Sequence, residues 1–413
     1  MARIKAFKGV RPRPELAEKV CSQPYDVINT KEARQLAEGN PYSFLYVNRP
    51  EISLPDGVDL YSDEVYEAAK KSLDKLIDEG TMIQDDKPVL YAYQQEWRGL
   101  TQTGLITCVS ADDYDEDLVK KHEKTRKDKE DDRARHVDET GANTGLVFLT
   151  YRADKKVDDI LAEATKGQPV YEFSTSDKVK HRFFVINDAA EVDGLVNEFK
   201  NVTPLYVADG HHRAASGSRV RALRKDRNAA NHTGNEEYNY FMAGLFPDDQ
   251  LQILAYNRVV KDLKGMSADE FLAKLEENFE MEKCEKAPKL ESKQFGMYLE
   301  SGWIKLSAKP SSYDAKHPVE SLDAAILQKN LLDAVLGIED PRSDKRIDFV
   351  GGIHGDKKLE ELVDSGEFKL AFSLYPTSMT ELMSVADASM MMPPKSTWFE
   401  PKLRSGLIVH LLD

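Results

Sequence analysis

Cysteine is scarce and scattered in this chain. The three present, Cys21, Cys108 and Cys284, form no CxxC pair. That excludes a disulfide framework and structural zinc, and it matches a reducing compartment. Long apolar runs are missing too. Nowhere do about 18 apolar residues follow one another, so no membrane-spanning helix and no membrane partner are expected. The opening residues, MARIKAFKGVRPRPELAEK, have no apolar run of the signal-peptide kind. The expected location is therefore cytoplasmic. Positive charge is outweighed: Lys and Arg total 57 against 72 Asp and Glu, a net charge of -15 at pH 7. A nucleic-acid backbone calls for a basic face, so nucleic acid is not the expected partner. No internal repeat is present, and no low-complexity linker. The sequence leaves a homodimer open.

Several motifs are absent as well. There is no GxxxxGK[ST], no GxGxxG and no GxSxG. His122-Glu123 is not followed by the second histidine of HExxH, because residue 126 is arginine. Walker-type, Rossmann, hydrolase-elbow and zincin sites are thereby disfavoured.

What remains is a chain of 413 residues, 41% hydrophobic and 31% charged, enough for more than one core. Its pattern predicts a mixed α/β protein with α+β character. Residues 64–80 carry Ala68, Leu73, Leu76 and Ile77 at helical spacing and stop at Gly80. VLYAYQQEW and GLTQTGLITCVS predict a hairpin turning at Arg98-Gly99. Residues 116–140, dense in charge of both signs, predict for the most part a helix with a wet face. Ser267 caps a helix over SADEFLAKLEENF, and PVESLDAAILQKNLLDAVLG predicts the strongest helix of the chain. The polar stretch RKDRNAANHTGNEE suggests a division into 1–235 and 236–413.

The stretch LYVADGHHRAASG, residues 205–217, carries the most chemistry. An apolar strand ends at Asp209-Gly210, and a helix opens at His211-His212-Arg213. The first N–H groups of a helix and the positive end of its dipole favour an anion. Arg213 can clamp phosphate oxygens, the histidines can donate or relay a proton, and Asp209 can hold a metal ion or orient a histidine. The bland reading is a helix capped by Asp209 with histidines on a wet surface.

Three further stretches stand beside it. KKHEKTRKDKEDDRARH offers Glu123 as a general base next to His122, with Lys121, Lys124, Arg126, Arg133 and Arg135 able to face phosphates. Its bland reading is a solvated helix of internal ion pairs. CSQPYDVIN holds Tyr25 and Asp26 on a proline-stiffened turn, which can present a carboxylate or simply reverse the chain. MMPPKSTWFEPKLRSG displays Lys395, Ser396 and Thr397, groups that bind phosphate or carboxylate, or else packs as a rigid loop.

FKGVRP, QPYDVI, KHEKT with DR following, ADGHHR and MPPKSTWFEPKLRSGL, in that order over residues 7–409, resemble a widespread prokaryotic family of domains of unknown function. The strand–DGHHR–helix unit also resembles the phosphate-binding motif of ParB/sulfiredoxin-like domains, a group that includes free L-serine kinases. That resemblance implies a ParB/sulfiredoxin-like nucleotide-binding core in 1–235 and a second α+β domain in 236–413. It further implies ATP or ADP with Mg2+, Glu123 as base beside His122, and Asp209, Gly210, His211, His212 and Arg213 around the phosphates and the metal. In compact ParB-like domains the two motifs sit closer together than here. No reactive cysteine stands in ADGHHR, which disfavours sulfiredoxin chemistry.

Three functions follow as expectations. The first is a nucleotide-dependent phosphotransferase acting on a small hydroxylated molecule, free serine foremost, with Lys395 holding the acceptor's carboxylate. The second is a nucleotide-binding and hydrolysing switch. The third is a non-catalytic metabolite-binding protein.

Overall fold

The computed structural model describes residues 1–413. Contacts divide the chain into two units, Met1–Leu251 with Pro401–Asp413, and Gln252–Glu400. The strand Tyr240–Pro247, which follows the division expected at 235/236, pairs within the first unit's sheet.

That sheet is mixed and nine-stranded. Leu205–Asp209 lies between Val119–Lys120, to which it is parallel, and Val147–Tyr151, to which it is antiparallel. Tyr240–Pro247 runs parallel to Val147–Tyr151 and antiparallel to Leu100–Ser110. Leu90–Trp97, Lys180–Ile186 and Tyr171–Ser174 extend the sheet as an antiparallel meander. Leu149, Leu245 and Leu105 stand in register across three central strands. They join Val207, Ala214 and Phe241 in a buried core, on which Val157, Leu161 and Leu195 pack from two helices. Gly104 is required here, because a Cβ at that position would lie 2.4 Å from the Phe246 ring.

The expected hairpin of Leu90–Trp97 and Leu100–Ser110 forms, and the helix expected at 64–80 spans Asp63–Asp78. The expected wet helix over 116–140 is shorter. Val119–Lys120 is a strand, and the helix begins only at Lys127 and ends at Thr140. Asp132 and His136 on that helix are buried. High charge therefore did not mean full solvation, because long-range partners take up those groups.

The second unit is a six-stranded antiparallel sheet. Its order is Phe279–Cys284, Gly302–Ala308, Gln294–Leu299, Leu370–Leu374, Tyr256–Val260, Ile347–Gly351. Side chains alternate between its faces as the pleat demands. Val260, Leu370 and Phe372 join one core with Phe271 and Leu331, while Val259 and Ala371 join another with Leu359. Ser267 closes a capping box on Ala268–Leu275, as its position predicts. The helix expected over 318–337 is regular only through Asp323–Leu327 and then widens into a π-helical stretch, Gln328–Asp333. No helix in the chain is long and apolar enough to cross a membrane.

Candidate functional site

The corner at Asp209 is built by backbone conformation. The buried strand Leu205–Asp209 delivers Asp209 to the sheet's end. Gly210 then adopts φ 88° and ψ 35° and serves as the N-cap of helix His211–Arg227. A side chain there is strained, and its Cβ would stand 2.9 Å from Nε of Arg213. Glycine therefore does two things at once: it permits the turn and leaves room for the arginine. The opening N–H groups of the helix have no partner within it, which makes the corner attractive to an anion.

Arg213 is largely buried and faces two carboxylates, Asp209 at 3.4 Å and Asp26 at 3.6 Å. It also donates to the Leu146 carbonyl. Burial works against its charge, and Asp26 and Asp209 outweigh burial, so its pKa rises. Its Nε lies below the surface with no hydrogen-bond partner. Lys402 Nζ reaches Asp209 at 3.6 Å. Burial raises the Asp209 carboxyl, but Lys402, Arg213 and His211 hold it well below the ordinary carboxylate range. The PYD turn thus joins the DGHHR motif through Asp26.

The KHEKT segment joins from the other side. Glu123 Oε2 lies 3.8 Å from Nδ1 of His211. His122 and His211 meet edge to face at 4.5 Å. Both are buried, and Nε2 of His211 lacks a hydrogen-bond partner. Burial pushes His122 down to about 4 and His211 well below its usual value, so both are neutral near pH 7. The Arg126 backbone N–H donates to Nε2 of His212 at 3.1 Å. That bond assigns Nε2 the lone pair and Nδ1 the proton. Burial lowers His212 as well. The 122–126 segment is therefore a loop tied to the helix start, with His122 as its buried anchor.

Behind Arg213 lies a cavity of about 30 Å³, space for roughly one water. Arg133, Arg213, Tyr25, Asn143, Thr144 and Ser405 are among its walls. Arg133 stacks on the Tyr25 ring at 4.1 Å and pairs with Asp132 at 2.7 Å. Burial, with Asp26 adding to it, pushes the Tyr25 hydroxyl up to about 12, so the ring stays neutral.

The structure brings together Asp26, His122, Glu123 and Asp209 to Arg213. Lys395, Ser396 and Thr397 belong to the second unit. There Lys395 Nζ lies over the Tyr256 ring at 5.3 Å, its carbonyl accepts from Arg258, and Ser396 donates to the Pro393 carbonyl. The lysine this region sends to Asp209 is Lys402, which the sequence reading missed. Its signal was available in EPKLRSG, a basic stretch leading into a closing strand. That strand forms as His410–Leu411 on Ala142–Asn143.

The donor set does not fit a protein-held divalent cation. No group of three or more His, Cys, Asp and Glu side chains is placed to hold one, and Asp209 is occupied by Lys402 and Arg213. What the corner offers an anion is the opening helix N–H groups beside the Arg213 guanidinium, with Asp26 and Asp209 balancing the charges of Arg213 and Lys402 and Glu123 at its edge.

Among curated proteins no match is found. Among solved structures, a free serine kinase variant in complex with AMP matches with a TM-score of 0.36 at 13% identity, covering 71% of this chain and 87% of that one. A conserved hypothetical protein from Pyrococcus furiosus matches with a TM-score of 0.35 at 14% identity, covering 74% and 95%. SbnI with a C-terminal truncation from Staphylococcus aureus gives 0.32 at 12%, covering 74% and 87%. Likeness at these scores does not establish a shared fold or activity. A family model is decisive where those structures are not: it matches residues 4–325, and the chain belongs to the family described as "Protein of unknown function (DUF1015)".

Proposed function

We propose that this protein transfers a phosphoryl group from a nucleotide to a small hydroxylated metabolite, with free L-serine as the first acceptor to test. The observation that carries the reading is the meeting of Glu123 with the Asp209–Arg213 corner, through His211 at 3.8 Å. An anion-favouring helix start and a carboxylate base are the two parts that phosphoryl transfer to an alcohol demands.

In this reading the terminal phosphates of ATP or ADP dock on the N–H groups of residues 211–213, with Arg213 beside them. The acceptor hydroxyl attacks the terminal phosphorus. An O–P bond forms, the bond to the leaving phosphate oxygen breaks, and the hydroxyl proton passes to Glu123. His211, neutral and next to Glu123, orients that carboxylate. Arg213 and the 211–213 N–H groups stabilise the charge spread over the transferring group. Serine stands first because DGHHR resembles the motif of free serine kinases.

The test is nucleotide consumption with and without L-serine. Purified protein is incubated with ATP, ADP or CTP, and phosphoserine is quantified. A kinase forms one phosphoserine per nucleotide consumed. Hydrolysis that proceeds equally without serine would replace this reading with a nucleotide-hydrolysing switch, and binding without turnover would replace it with a binding protein.

A further inference from the structure

A second, larger cleft lies in the first unit. It measures about 610 Å³, within the common range of small-molecule pockets, and shares no lining residue with the Arg213 cavity. The two are divided by a backbone bridge in which Ser22 and Ser405 exchange both hydrogen bonds at 3.0 Å. Ser405 faces the Arg213 cavity, whereas Ser22 and Arg404 line the cleft.

The floor of the cleft is polar but charge-balanced. Arg404 is 4% exposed and pairs with Asp177. Burial raises the Asp177 carboxyl, and Arg404 outweighs it, so this carboxyl stays ionised. Thr175 donates to Asp177 at 2.5 Å and stands 3.0 Å from Nε2 of His181, whose Nδ1 is 2.7 Å from the Tyr93 hydroxyl. Burial, with Arg404 next, drives His181 down to about 3, and burial lifts the Cys21 thiol to about 12, so neither carries charge near pH 7. One arginine and one aspartate therefore cancel. Two buried donors remain unanswered: Nε of Arg404 and the hydroxyl of Ser22, which is 7% exposed. Buried polar atoms without partners are uncommon and call for an explanation.

The walls are mixed: Gln23, Gln35, Asn40, Ser174 and Ser176 offer uncharged donors and acceptors, Val27 and Ile28 supply an apolar side, and Glu18, Lys19 and Glu32 add charge of both signs from exposed positions. A charged ligand would have to bring uncompensated charge over a neutral floor, which low-dielectric surroundings penalise. A ligand rich in hydroxyl groups would instead answer the two unpartnered donors and match the amide and hydroxyl walls.

We infer that the cleft floored by Ser22 and Arg404 and walled by residues 27–36 and 174–176 binds an uncharged, polyhydroxylated small molecule of the size of a monosaccharide. The inference does not depend on phosphoryl transfer, since the two cavities have separate linings.

The experiment follows thermal unfolding of the full chain with D-ribose, D-glucose or myo-inositol, and with succinate and inorganic phosphate as charged probes. Four proteins are compared: wild type, Leu36→Trp and Ser176→Tyr, which fill the cleft from exposed positions, and Arg213→Ala. At saturating concentration at least one polyol should raise the Tm of wild type and Arg213→Ala by about 2 °C or more. Neither cleft-filling variant should respond. Polyols at high concentration also stabilise proteins by exclusion from the surface. A shift that persists in Leu36→Trp and Ser176→Tyr is therefore that general effect and overturns the inference. So does the absence of any polyol shift in wild type, or a response to succinate or phosphate alone that both cleft-filling variants abolish.

Discussion

The Glu123 carboxylate approaches Nδ1 of His211 to 3.8 Å, although the two residues stand on different elements far apart in sequence. Since burial keeps His211 neutral, this is a contact between a carboxylate and an uncharged ring rather than an ion pair. His211 thus helps to position the carboxylate, and a positioned carboxylate is what a general base requires. Glu123→Gln keeps the shape and removes the basicity. It should lower kcat by about 10²–10⁴-fold while leaving the apparent nucleotide affinity within a factor of about three. Steady-state kinetics with saturating L-serine measures both. An unchanged kcat would remove Glu123 from the proton transfer.

Arg213 acts on the phosphate side. Arg213→Ala should lower turnover by roughly 10²-fold or more, and Arg213→Lys should recover only part of that loss because a lysine lacks the fork. Nucleotide binding by calorimetry separates lost affinity from lost chemistry. If both variants turn over as wild type does, the helix start does not hold the transferring group.

Gly210 makes a third prediction, on stability as well as function. At φ 88°, with a new Cβ 2.9 Å from the Arg213 Nε, Gly210→Ala combines backbone strain with displacement of the arginine. The strain alone costs about 1–2 kcal/mol. The variant should melt earlier than wild type and bind nucleotide less tightly. Gly104→Ala is the control, since its Cβ would meet the Phe246 ring at 2.4 Å. Overpacking there costs about 1–3 kcal/mol. It should lower the Tm with much less effect on nucleotide affinity.

Acid should destabilise the first unit before the usual carboxylate range is reached. Burial holds His122 and His136 at about 4, below the unfolded histidine value of about 6.5. Between those values the unfolded chain binds protons that the folded chain refuses, so stability falls as pH drops. Each histidine alone accounts for about 3 kcal/mol by pH 4. Asp209 and Asp177, held low by their cationic partners, extend the loss further into acid. Urea unfolding at a series of pH values checks this. His136→Gln should flatten the pH 4–6.5 portion, and an unchanged slope would mean that His136 takes up protons in the folded state.

The hand-over from strand to helix at Asp209-Gly210 was legible because it is local: an apolar run, an Asp-Gly turn and a helical continuation sit next to one another. The mixed α/β class was legible for the same reason, since Leu90–Trp97, Leu100–Ser110 and Asp63–Asp78 each show their own period. The segment around Glu123 was not. Its charges carry no period, so the loop at 122–126 merged with the helix at Lys127–Thr140, and nothing local reveals that His122 is buried against His211. The basic residue near the C-terminal stretch was misplaced by similar reasoning. Lys395 follows two prolines and looked displayed, while Lys402 meets Asp209 through a return of the chain that pattern alone does not reveal. Asp26 was legible as a turn residue, but its meeting with Arg213 is a tertiary fact.

The second unit interrupts the first between Leu251 and Pro401. Ribosomal synthesis is vectorial, so Asp26, Glu123 and the Asp209–Arg213 corner emerge before residues 252–400 are made. Lys402 and Arg404 emerge only afterwards. Until then Asp209 lacks its lysine, Asp177 lacks its arginine, and the wall between the two cavities lacks the half that Ser405 supplies. The nascent chain thus holds an unfinished corner throughout translation of the intervening 252–400 segment, and both pockets are completed together as its last stretch is threaded home.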